Sequence, residues 1–153
     1  MLILKFLHIG VMFAAVAISI GPEFLLRSIG RSGDVRAIRT GYSLGERIGK
    51  AIPPLFFIGL IFGLLTAWVE EMNFLAPWLL IAYVLFVIAT LLGARVFAPH
   101  IAHVAALAAK SPDDAPSTEL RAALADRRAD NLFWVEAVII IAFVFDMVIK
   151  PFS

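Results

Sequence analysis

The chain predicts an all-α integral membrane protein, a four-transmembrane-helix antiparallel bundle with helical extensions on the cytoplasmic side. Three observations carry that prediction. Four long apolar runs, at about 2–21, 52–69, 75–97 and 132–150, each match the length that crosses a bilayer. Hydrophobic residues make up 61% of the sequence and mean hydropathy is +0.94, far above a soluble domain of this size. Of 13 Lys and Arg residues, all but Lys5 and Lys150 fall between Arg27 and Lys50 or between Arg95 and Arg128. Basic connections stay on the cytoplasmic side of a membrane. The connections 22–51 and 98–131 are therefore expected inside, with both termini on the periplasmic face of a bacterial inner membrane. One domain, 1–153, is expected.

The first helix should run from Leu2 to about Ile20 and kink or restart at Gly21-Pro22, because proline removes a backbone donor. Glu23 and Arg27 then stand one turn apart, a favourable local pair. A cleaved leader ending near Ala15-Val16-Ala17 is disfavoured, since Lys5 interrupts the apolar run and the basic 27–50 stretch would have to be translocated. Ser32-Gly33 reads as a turn and Asp34 as an N-cap. The second helix is expected to start there and reach about Val69, bending where Pro53-Pro54 enters the membrane. Gly41, Gly45, Gly49, Gly59 and Gly63 lie within about 80° of one another on it, a small-residue ridge of the kind that packs helices closely in lipid.

The acidic connection 70–74 is short, so the second and third spans form a hairpin, with Trp68 and Trp78 expected at headgroup depth. The third span covers 75–97, with Arg95 near its inner end. After Pro99 a separate short helix is expected over 100–109. The stretch KSPDDAPS (110–117) is irregular. From Thr118 to Lys150 there is neither Gly nor Pro, which predicts one long helix capped by Ser117.

Net charge is only +1, but the basic residues sit almost wholly on one side, which suits anionic lipid headgroups. Nucleic acid is not an expected partner, because the basic stretches lack interleaved aromatics. Zero Cys excludes disulfides, thiolate metal sites and thiol catalysis. No nucleophile elbow, phosphate loop or dinucleotide turn occurs, so no catalytic residue is assigned.

Four segments acquire meaning together: LKFLH (4–8), RSGDVRAIR (31–39), VFAPHIAHVAAL (96–107) and MVIKP (147–151). With them the chain resembles, over nearly its full length, a bacterial inner-membrane family defined as a domain of unknown function. More distantly it is similar to copper-resistance membrane proteins and to membrane protoporphyrinogen oxidases, all small four-helix proteins. The resemblance implies a haem-serving His in the first helix, and His8 matches that position. It does not extend to the Lys those oxidases carry in a later helix, because the third span has none.

The residues themselves offer several candidates. Lys5, His8, Met12, Ala15 and Ser19 form one stripe at 3–4 spacing that should face the bundle. Intramembrane ionisable groups are functional candidates, and His8 could equally serve as a structural hydrogen-bonding residue. Asp146 is expected at a similar depth on the antiparallel last helix, paired with His8. Glu136 lies on the same face of that helix, deeper toward the basic side, with Arg95 or Arg27 as its expected buried partner. Haem b, as the one cofactor considered, would need His8 with Met12, Met147 or Met72, or a second protomer. His100 and His103 share a helix face but lack the further ligands a metal needs, and lie a membrane thickness from His8. The sequence thus favours a non-enzymatic bundle acting as a structural, accessory or homo-oligomeric membrane subunit. The alternatives are a haem-binding or redox-linked protein using His8, and a small ion-coupled transporter using Asp146 or Glu136.

Overall fold

The computed structural model describes residues 2–151, which are helical with no strand among them. Helix α1 (Leu2–Ser32) runs unbroken through Pro22, so the chain does not restart there. Pro22 costs only the one bond its nitrogen would have donated to Ile18, and the surrounding ladder keeps the helix. Gly33 (φ +73°) ends it, a left-handed turn that only glycine adopts without strain. The Asp34 carboxylate then accepts from the amides of Arg36 (2.9 Å) and Ala37 (3.2 Å) and starts α2 (Val35–Gly49).

The expected single helix from 34 to 69 is two helices. A turn at residues 50–51 separates α2 from α3 (Ile52–Val69), whose first turn carries the prolines. Proline suits that position, where amides have no helical acceptor. Across a turn in which Glu71 has φ +53°, the chain returns in α4 (Pro77–Leu92).

No break precedes Pro99. A π turn, Gly93–Phe97, joins α4 directly to α5 (Ala98–Lys110). The wider π coil makes room for the proline ring just where a regular α-helix would clash. The expected single last helix is also divided: α6 (Thr118–Leu124) and α7 (Arg127–Ile149) meet at residues 125–126. Asp126 accepts from the Arg128 amide (2.9 Å) and so begins α7 afresh.

Four helical stretches are long and apolar enough to cross a membrane: Leu2–Ser32, Val35–Val69, Pro77–Lys110 and Thr118–Ile149. Among the four spanning helices, α1 packs chiefly on α3 and α4 on α7, forming two antiparallel pairs. Large apolar side chains cover the outside of both, such as Ile141 at 68% exposure, and require lipid rather than water. At one end α2, α5 and α6 cap the bundle around buried Leu26, Ile38, Tyr42, Val104, Ala108 and Leu120. Most of the arginines lie at this basic end. Arg39 fastens the 111–117 loop there, donating to the carbonyls of Ala108 (3.1 Å) and Ser111 (2.9 Å) and to Asp113 (2.9 Å). Arg36 adds a second bond to Asp113 (3.1 Å).

The glycine ridge faces α1. Cβ atoms at Gly41 and Gly45 would meet Leu26 at 3.5 and 2.8 Å, and those at Gly59 and Gly63 would meet Met12 and His8. Its partner is thus in the same chain. Gly49 departs from the expectation, since nothing lies within 4 Å of a Cβ there.

Candidate functional site

The two helix pairs stand apart at the end opposite the basic cap and leave a cavity of about 340 Å3 between them. All four spanning helices contribute to its wall. Most of the wall is apolar, with Leu79, Phe86 and Phe143 among its residues. Its few polar and soft groups are specific: Lys5, His8 and Met12 from α1, Thr66 from α3, Met72 from the turn, Tyr83 from α4, Met147 from α7, and Lys150 just beyond it. Three of the chain's four methionines therefore face one space.

The geometry of His8 follows from the glycines. A Cβ on Gly63 would lie 2.8 Å from its Cε1 and 3.0 Å from its Nδ1, so the ring rests directly on the α3 backbone. There Nδ1 is 2.8 Å from the Gly59 carbonyl, one turn earlier. A carbonyl only accepts, so Nδ1 carries a proton and donates it to Gly59, which leaves Nε2 as the ring nitrogen not engaged by that bond. That is the arrangement of an imidazole prepared to ligate a metal, with a backbone carbonyl fixing tautomer and ring plane.

At the cavity rim Lys5 pairs with Glu70 (2.6 Å), tying α1 to the turn after α3. Lys150 stands over the Trp78 ring at 5.0 Å from its centroid. Trp78 is 7% exposed within the bundle, and Trp68 is 69% exposed.

His8 does not pair with Asp146. Its Nδ1 bond goes to Gly59, and Asp146, 3% exposed, has no hydrogen-bond partner for either carboxylate oxygen among the described residues. Glu136 is 6% exposed and lines a second cavity, about 150 Å3, nearer the basic end. Neither expected arginine reaches it. Arg27 binds Asp130 and the Ala129 carbonyl (3.3 Å) and lies 4.1 Å over the Phe133 ring. A cation–π contact and a carboxylate outcompete a distant acid. Arg95 is exposed, where its charge remains solvated, rather than buried.

His100 and His103 do not converge on a site. His100 lines a small polar cavity with Asp126 and Asp130, and burial lowers its pKa from the ordinary 6.5. His103 is exposed. No group of three or more His, Asp or Glu among the described residues is placed to hold a metal ion.

The sequence reading overlooked Glu23 as a group in its own right, assigning it to Arg27. The signal was present: Ser19 and Glu23 continue the His8–Met12–Ala15 stripe at 4-residue steps, and Ser19 and Glu23 share the second cavity with Glu136. Comparison with protein-family models, characterised proteins and solved structures finds no match for this chain.

Proposed function

We propose that this multi-pass membrane protein holds haem b in the cavity beside His8, with the His8 Nε2 as the iron ligand. The Nδ1 bond to the Gly59 carbonyl is the observation that carries this reading, because it fixes the ring plane and leaves Nε2 as the nitrogen that would ligate iron. The donor set suits the group. Met12, Met72 and Met147 line the same cavity, and a thioether among them would serve as a second iron ligand, His with Met being an established haem pairing. Lys150, over the Trp78 ring, and Lys5, paired with Glu70, are the rim cations that would meet propionate carboxylates, and the largely apolar wall suits the macrocycle. A volume of about 340 Å3 falls within the usual ligand-cavity range of roughly 300–1,000 Å3. Haem would supply one-electron redox chemistry.

The chain's own residues do the rest. Gly63 admits the ring, Gly59 orients it, and the largely apolar wall would surround the ligand. The positive-inside rule favours an orientation with this end on the periplasmic side of an inner membrane and the basic cap against anionic cytoplasmic headgroups.

Protein purified from haem-replete cells tests the reading. A Soret band should accompany the native protein, disappear in His8→Ala and persist in Asp146→Asn. Met12→Leu, Met72→Leu and Met147→Leu should each be compared, and the one that removes the second ligand should convert the spectrum from low to high spin. A colourless native protein would overturn haem binding and return the bundle to a structural or accessory role.

A further inference from the structure

Cavities beyond the His8 site lie in series toward the basic end. The second, about 150 Å3, holds Glu136 in its wall, and the third, about 70 Å3, is mostly polar. Glu23 lines both. A water needs only about 10–15 Å3 of such space, so both admit several where polar partners exist.

Glu136 is the unusual group. It is over nine-tenths buried, faces the second cavity, and has no hydrogen bond or ion pair among the described residues. An intramembrane carboxyl left this way is costly unless it takes up and releases a proton. Glu23 is also without an ion pair among those residues, because Asp130 occupies Arg27. The path stops on the other side. Phe56 lines the second cavity and Phe86 the first, and their rings meet edge to face at 6.0 Å, with no lining residue common to the two cavities.

We infer that Glu23 and Glu136 form a proton half-channel open only to the basic end, with Glu23 relaying protons between the polar cavity and Glu136. In each transfer the Glu23 carboxyl gives its O–H proton to the Glu136 carboxylate. A hydronium ion reaching the polar cavity from the basic-end solution then gives a proton to the Glu23 carboxylate and is left as water, so one proton passes from that face to Glu136.

The surroundings of both acids are defined. Around Glu23 stand Arg27 and Arg31 of α1, Tyr42 of α2, His100 of α5, and Asp126 and Asp130 at the start of α7. Facing Glu136, the second cavity holds no titratable group other than Glu23, since α3, α4 and the π turn contribute only apolar residues and Thr90. Burial, followed by the charge of Glu23, raises the Tyr42 pKa to about 12, so its phenol does not release a proton near neutrality. Burial lowers that of His100, which keeps a neutral acceptor at the mouth of the path.

A lipophilic carbodiimide, which couples to protonated carboxyls, provides the test. The full chain is reconstituted in vesicles of defined orientation, pH is changed on one face at a time, and coupling at Glu136 is quantified by mass spectrometry. Acidifying the basic-end face should raise coupling several-fold, acidifying the opposite face should leave it unchanged, and Glu23→Gln should abolish the response. Coupling that follows the opposite face, both faces or neither would overturn the half-channel, as would a full response in folded Glu23→Gln. The native protein's side dependence decides the point even if that variant fails to fold. No chromophore is required, so a colourless protein would refute haem binding and leave this test intact.

Discussion

Gly63 is the residue on which the His8 site turns. An added methyl would stand within 3.0 Å of the imidazole, and the ring could clear it only by leaving the Gly59 carbonyl. Gly63→Ala should therefore free the ring and weaken haem binding by about 10–100-fold, the usual cost of losing a second partner of a metal-ligating His. Overpacking at the α1–α3 contact should also destabilise the bundle by about 1–3 kcal/mol. Gly49→Ala is the matched control, since a Cβ there meets nothing within 4 Å. Haem titration and thermal unfolding in detergent measure the two effects separately. Equal behaviour of the two variants would remove the glycine seat from the account of His8.

At the scale of elements, the loop between α5 and α6 is held by charge, and its order should follow pH. Hydrogen bonds from Arg39 and then Arg36 hold the Asp113 carboxyl below its ordinary value of 3.8. A carboxylate with a depressed folded pKa contributes stability above its unfolded value and loses it as pH falls through the folded one. Cleavage of residues 111–117 by an acid-active protease should thus accelerate only below about 3.8, whereas a neutral-active protease should already cut Asp113→Asn readily at pH 7 and spare the native loop. High salt should mimic the substitution in part, because Asp113 is solvent-exposed and its pairs are screened. If cleavage of the native loop were independent of pH, the Arg–Asp clamp would not be what holds it.

The elements also show what a sequence can disclose. The four spans were legible because apolar length is a property of composition, and so was the Asp34 cap, which is local. The divisions at residues 50–51 and 125–126 were missed for a different reason. Propensity alone lets Thr118 to Lys150 run as one helix, and only the Asp126 carboxylate competing for the Arg128 amide divides it. Pro99 misled in the opposite sense, since a π turn can absorb a proline that an α-helix cannot. For the site, the His8 stripe was visible as a period. The choice of Gly59 over Asp146 as its partner was not, because it depends on how closely α3 approaches α1.

For the whole molecule, orientation decides what either site can do. The turn bearing Asn73 and the loop bearing Asp114 lie at opposite ends of the bundle, and both residues are exposed. The chain contains no Cys, so one introduced thiol is the only thiol present. In intact cells an impermeant maleimide should label Asn73→Cys and reach Asp114→Cys only after permeabilisation, because moving the arginines of the basic end outward opposes the positive-inside bias. The reverse pattern would keep the bundle but put the His8 cavity on the cytoplasmic side and open the Glu136 path outward. Labelling of both sites from one side would be graver, since the helix pairs could not then cross the membrane. The lipid-facing surface of α7, where Val138 and Ile141 are 64% and 68% exposed, would be left without an apolar solvent.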